Sequence, residues 1–285
     1  MKYQLEILGK EIKNPKGNIV FVHGICHGAW CWKYFIKYFS DAGYRCYALS
    51  LRGHGKSEGR KDLNKFTLSD YVEDVKTVVA MCDTKPFLVG HSMGGAVVQR
   101  YIGENEDTVQ GAVLFAPATA PHMSRGETSA KRDRNLRCAV LVALLGVRGK
   151  KIIHNAAFFT GQDKAGNKIQ RIENTSRFAH LLQAESIKVI GRDLNNLYSK
   201  NYNVNIPVFV IGSYADLYFP QKSLEQTAGA YAQNGKTALV ILERLCHDMM
   251  LDPEWKKSAE SVLEFVEDPI TFVDKKDNHW PRPKE

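Results

Sequence analysis

Apolar residues gather along the chain in short runs that few polar positions interrupt. Asn18–Val22, Arg45–Leu49, Pro86–Gly90, Val109–Phe115, Pro207–Ile211 and Thr237–Leu242 are apolar through four or five successive positions, the pattern of strands buried on both faces of a parallel sheet. Tyr3–Leu8 alternates polar with apolar residues and reads as a strand with one wet face. Between these runs the period changes. Tyr71, Val75, Val78 and Val79 recur at helical spacing, as do Trp255, Ala259, Val262 and Val266. Strand and helix in repeated alternation predict a doubly wound α/β sheet. From about Ala118 to Asn205 the rhythm stops: no buried strand is legible, but Leu136–Val147 and Phe178–Ile190 have helical character. The expectation is an α/β core over 1–117 and 206–272, a helical cap inserted over 118–205, and a polar surface extension over 273–285.

Composition narrows the class. With 285 residues, 44% hydrophobic and 25% charged, the chain can build a sizeable core and is neither disordered, collagenous nor a disulfide scaffold. The apolar run Cys138–Val147 is roughly half the length a bilayer demands, and Met1–Leu8 carries Glu6 where a secretion signal would be apolar. The six cysteines lack CxxC pairing and are expected as free thiols in a cytoplasmic protein, with Cys26 and Cys31 as small packing residues rather than a redox pair. The net charge of +8 is dispersed and not interleaved with aromatics, which argues against a nucleic-acid partner. One cluster, Lys131, Arg132, Arg134, Arg137, Arg148, Lys150 and Lys151, flanks the apolar run of the cap and suits steering of anionic substrates or contact with a lipid surface.

Gly90-His-Ser-Met-Gly94 follows a strand and opens a helix, the setting of a nucleophile elbow. The glycines give room for a sharp turn that strains Ser92 and leaves its hydroxyl at a helix N-terminus. A serine hydroxyl needs a base and the base an orienting carboxylate. Asp216 and His247 each lie five residues beyond a strand, in the chain order Ser, acid, His. His23–Trp30 leaves another strand with Gly24 at its start, so the Ile25 amide, with that of Met93, is positioned as an oxyanion hole. Gly24, His91, Leu144, Phe158 and Leu217 are the candidate substrate-pocket residues, and Leu141, Leu145, Phe159 and Phe178 either join them or form the cap's own core. His23 and His27 are spaced as metal ligands, but the glycines beside them argue against a helix and no third ligand is evident. Arg52–Gly59 lacks the register of a phosphate-binding loop, and His54 in it reads as structural.

In these motifs, His23-Gly24, Arg52-Gly-His-Gly-Lys-Ser57, Gly90–Gly95, Asp216 and His247, the chain resembles the α/β-hydrolase superfamily from Tyr3 to about Glu267. The resemblance implies a mostly parallel eight-stranded sheet, Ser92 as nucleophile, His247 as base and acid, Asp216 as orienting carboxylate, no cofactor and a small-molecule substrate. Arg52–Gly59 and Gly90–Gly95 are similar to monoacylglycerol lipases and lysophospholipase-like esterases, which usually carry Asp where Ser50 stands. His23–Trp32 is similar to plant methylesterases and hydroxynitrile lyases. The lyases have threonine at the place of Gly24 and lysine at that of Asp248, so both departures favour ester hydrolysis over cyanohydrin cleavage. Ser92 excludes a haloalkane dehalogenase, which needs an aspartate. The remaining alternatives are an amidase, a carbon–carbon hydrolase, a lyase-like enzyme, or a slow or non-catalytic receptor on the same scaffold.

Overall fold

The computed structural model describes residues 3–118, 158–195 and 201–276. Nine strands lie within them: β1 (Ile7–Leu8), β2 (Asn18–Val22), β3 (Arg45–Leu49), β4 (Phe87–His91), β5 (Gly111–Phe115), β6 (Thr160–Gln162), β7 (Lys168–Gln170), β8 (Val208–Ser213) and β9 (Thr237–Leu242). Seven form the central sheet in the order β1-β3-β2-β4-β5-β8-β9. Only β1 runs antiparallel, along the β3 edge. The expectation of eight strands is corrected to seven among the described residues, matching the seven runs legible in the sequence. β2, β4, β5 and β8 are buried throughout because helices cover both faces, which is why they read as unbroken apolar runs.

The helices are α1 (Lys33–Asp41), α2 (Leu68–Val79), α3 (Met93–Asn105), α4 (Ile172–Phe178), α5 (Ile187–Gly191), α6 (Gln221–Tyr231), α7 (Trp255–Glu267) and α8 (Pro269–Lys276). α2 begins with a capping box between Thr67 and Asp70 and buries Tyr71, Val75, Val78 and Val79, the stripe its spacing predicts. α7 likewise buries Ala259, Val262 and Val266. Phe21, Trp32, Phe35 and Phe39 make one aromatic cluster between sheet and α1, with the Phe21 and Trp32 rings 5.0 Å apart. The core runs past residue 272, where the sequence pattern ended it: Val273 is buried in α8 beside Phe272.

From β2 the chain passes to β3 on one side and later returns to β4 on the other, so the winding direction reverses there. The carboxyl ends of β2 and β4 at such a reversal flank a crevice. α3 descends from that point so close to β2 that a Cβ on Gly94 would lie 2.3 Å from the Val22 carbonyl oxygen. The nearest atoms, in Val22 and His23, are backbone and have no room to yield. Gly94→Ala is therefore expected to cost about 3 kcal/mol, read as a lowered midpoint of urea unfolding.

The insertion differs from the all-helical expectation. β6 and β7 pair as an antiparallel hairpin around a tight turn, in which the Asp163 side chain accepts from the amides of Ala165 and Asn167 and Gly166 adopts φ 86°. Three-residue strands are too short to leave a periodic signal. The hairpin leans on the loop after β8, where Gly161 bridges Asp216 and the Gln162 amide donates to the Ala215 carbonyl. The helical stretch expected over Phe178–Ile190 divides into α4, a 3-10 turn over Ala179–Leu181 and α5. The backbone between them is drawn off by contacts that Gln183 and Glu185 make with the core. Leu141, Leu144, Leu145 and the basic cluster Lys131–Lys151 lie outside the described residues.

Candidate active site

Ser92 joins β4 to α3 at φ 53° and ψ −117°, a strained conformation for a residue with a side chain. Backbone bonds hold it there: its amide donates to the Phe115 carbonyl, and its carbonyl accepts from Gly95 and Ala96 of α3 and from Ala118. The loop after β2 presses against it, since a Cβ on Gly24 would lie 3.0 Å from the Ser92 Cβ and 2.8 Å from His91 Nδ1. The Met93 amide opens α3 and has no helical acceptor of its own. Among the described residues neither it nor the Ile25 amide donates to a protein acceptor, although the neighbouring Cys26 and His27 amides do.

Asp216 and His247 stand on the loops that follow β8 and β9. The strands are in register, Ser213 opposite Leu242, so both loops leave the sheet at one level. His247 Nδ1 donates to Asp216 Oδ2 at 2.8 Å, and both side chains are buried. Asp216 Oδ1 accepts from the amides of Tyr218 at 2.7 Å and Phe219 at 3.2 Å, which locks the carboxylate. Burial works against a charged His247, but the Asp216 charge and hydrogen bond, with Asp248 adding to them, outweigh it and leave the imidazole pKa above the ordinary value.

The His247 ring lies 4.7 Å from that of His91, the residue before Ser92. His91 Nε2 donates to the His247 carbonyl at 3.2 Å. Burial first, then the charges of His247 and His27, push the His91 pKa well below the usual histidine value, so it serves as a neutral spacer. Phe158 and the rings of Tyr218 and Phe219 complete an aromatic surround for His247. Leu217 is 40% exposed at the rim beside Asp216. Phe159 and Phe178 instead pack on each other, with Phe178 stacked on Trp30, which joins the cap to the core. Ser92, Asp216, His247, Ile25, Met93, Gly24, His91, Phe158 and Leu217 thus gather at one edge of the sheet; Leu144 lies outside the described residues.

Below this edge lie two buried clusters. His23 Nδ1 donates to the Gly24 carbonyl and Nε2 accepts from the Leu51 amide; burial, followed by nearby His54, lowers its pKa to about 3. His27 contacts the Ile25 carbonyl and Asp248 instead, so the two histidines are not a metal pair. His54 is structural, 2.9 Å from the buried Glu185 carboxylate. His91, His247 and Asp248 bring one ligand-type atom each within 4.8 Å of one another, but the bonds to Asp216, the His247 carbonyl and His27 account for their placement. Cys26 and Cys31 are free and buried, and burial raises both thiols well above their usual value, which disfavours the thiolate form. Ser50 donates to Glu6 Oε2 at 2.6 Å and accepts from the Ala29 amide at 2.8 Å, so it links the loop after β2 to a carboxylate beside β1.

A family model described as serine aminopeptidase, S33, matches residues 13–254. The chain belongs to that family. Over 114 residues this S33-family chain is 36% identical to a monoacylglycerol lipase of Mycolicibacterium smegmatis, covering 38% of this chain and 40% of the relative. Over 116 residues it is 34% identical to esterase PIR7B of Oryza sativa, covering 39% of this chain and 43% of the relative. It therefore spans less than half the length of either. The crystal structure of a Paleococcus ferrophilus monoacylglycerol lipase superimposes with a TM-score of 0.68 at 20% identity, covering 95% of this chain and all of that one. The fold is that of an α/β-hydrolase.

Proposed function

We propose that the protein hydrolyses carboxylic esters through a Ser92–His247–Asp216 triad. The observation that carries this reading is the buried His247–Asp216 bond on the sheet edge where Ser92 occupies its strained turn. The similarity to a monoacylglycerol lipase and to an esterase supports the ester class. His247 Nε2 takes the hydroxyl proton of Ser92 as Oγ attacks the ester carbonyl. The tetrahedral oxyanion rests on the amides of Ile25 and Met93, each donor contributing about 10²–10³ in rate. Returning its proton, His247 releases the alcohol and leaves an acyl-Ser92, which water cleaves by the same steps in reverse roles. Asp216 holds Nδ1–H and stabilises the imidazolium. No step calls for a cofactor. The aromatic surround of His247 favours an apolar acyl or aromatic ester, and the free thiols fit a cytoplasmic setting. Among the described residues no helix is long and apolar enough to cross a membrane.

A fluorophosphonate probe is expected to label one peptide, the one containing Ser92, and short p-nitrophenyl esters to acylate the same residue, both read by mass spectrometry. Hydrolysis that proceeds without Ser92 modification would sink the assignment. Because the family description names an aminopeptidase, aminoacyl arylamides belong in the same panel, and faster turnover of these than of esters would redirect the substrate class.

A further inference from the structure

We propose that His27 and Asp248 form a clamp that positions the oxyanion loop against the catalytic loop. The inference rests on the reading of Ile25 as an oxyanion donor and adds two residues to it. His27 Nδ1 lies 2.6 Å from the Ile25 carbonyl, and its Nε2 lies 2.8 Å from Asp248 Oδ2. All three residues are buried. Asp248 directly follows His247, and its own amide is fixed by the Phe158 carbonyl. One imidazole thus ties the loop carrying Ile25 to the loop carrying His247.

Both partners of the ring are acceptors. A carbonyl oxygen and a carboxylate cannot donate, so Nδ1 carries a hydrogen and a second proton sits between Nε2 and Oδ2. The result is a charge-assisted bond in a dry site, stronger than a neutral one. It acts where the backbone resists: Cys26, between Ile25 and His27, is held at φ 65°, a region that side chains disfavour. Trp30 and Phe158 close over the His27 ring and keep water from competing. Releasing the clamp frees the Ile25 carbonyl, and the turn of Ile25 that follows carries its own N–H, in the preceding Gly24–Ile25 peptide, away from the place where the oxyanion forms. The effect falls on the transition state rather than on substrate binding.

Three variants test the clamp. Asp248→Asn can donate an amide hydrogen to Nε2 of a neutral His27 while Nδ1–H stays on the Ile25 carbonyl, so it is expected to keep kcat within about tenfold of the parent. Asp248→Leu and His27→Phe break the link and are expected to lower kcat about 100-fold with KM unchanged. Both should weaken inhibition by a trifluoromethyl ketone, which forms a tetrahedral adduct on Ser92, by the same factor. Retention of parental kcat by either folded apolar variant overturns the proposal. So does an Asp248→Asn variant as slow as Asp248→Leu. Failure of all three to fold counts against it as well, since a positioning role requires a folded but slow protein. If the parent is not labelled at Ser92 by a fluorophosphonate, the underlying hydrolase reading fails instead.

Discussion

His247→Ala is expected to lower kcat for ester hydrolysis by about 10⁶ and Asp216→Asn by about 10⁴, both with little change in KM. The difference follows from what each group does. His247→Ala removes the group proposed to take the Ser92 proton. Without the Asp216 charge a base remains, but the imidazole loses the acceptor that fixes Nδ1–H toward Oδ2 at 2.8 Å, and the wrong tautomer competes. The pH profile separates these roles. Burial lowers the His247 pKa, whereas Asp216 and Asp248 raise it, and the sum lies above the ordinary value of 6.5. Because the base acts only when neutral, kcat/KM should rise with pH along a limb centred above 6.5. In Asp216→Asn the largest raising influence is gone and burial acts against Asp248 alone, so the residual activity should show that limb at lower pH. Stopped-flow acylation with a p-nitrophenyl ester measures both. A limb that stays in place in Asp216→Asn would mean that the group titrating in the parent is not His247.

The chain displays in its sequence what repeats along a strand or around a helix. β2, β4, β5 and β8 are legible because burial on both faces demands an apolar residue at every position, and α2 and α7 because one face must be apolar at helical spacing. Ser92 is legible because close approach of α3 to β2 forces glycine at 94, and Asp216 and His247 because they follow recognisable strands. Long-range polar partners leave no such trace. Nothing near Glu185 announces that it sits beneath His54, 131 residues earlier (185 − 54), or that Asp248 grips His27 across the sheet edge. Tyr218 and Phe219 could have been found: an aspartate whose carboxylate accepts amides two and three residues on is a local turn pattern, and Asp216-Leu-Tyr-Phe-Pro220 has the composition for it. The β6–β7 hairpin escaped because three residues hold too few positions to establish a period.

Glu185→Ala is expected to destabilise the fold by about 3–5 kcal/mol, more than any other single truncation among the described residues of the cap. The carboxylate is fully buried and serves four groups from four parts of the chain. Oε1 accepts from the Tyr71 hydroxyl at 2.7 Å and from the Ser186 amide at 2.8 Å. Oε2 lies 2.9 Å from His54 Nε2 and accepts from the Cys26 amide at 3.4 Å. Removing it strands a hydroxyl, an imidazole and two amides in a dry interior, where each unpaired group costs about 1–3 kcal/mol. Glu185→Gln keeps the volume and one acceptor oxygen and should recover part of the loss. The two variants also differ with pH. Burial raises the Glu185 pKa, but His54, the Ser186 amide and Tyr71 together bring it below the usual carboxylate value. A depressed folded-state pKa contributes stability that is complete above the unfolded value of 4.5 and disappears as the pH falls through the folded one. Parent protein should therefore lose stability on acidification below about pH 4, and Glu185→Gln should lose less over the same interval. Urea unfolding at pH 7 and at pH 3.5 gives both numbers. Equal acid sensitivity of parent and Glu185→Gln would show that the Glu185 carboxylate is not held below the usual carboxylate value in the folded state.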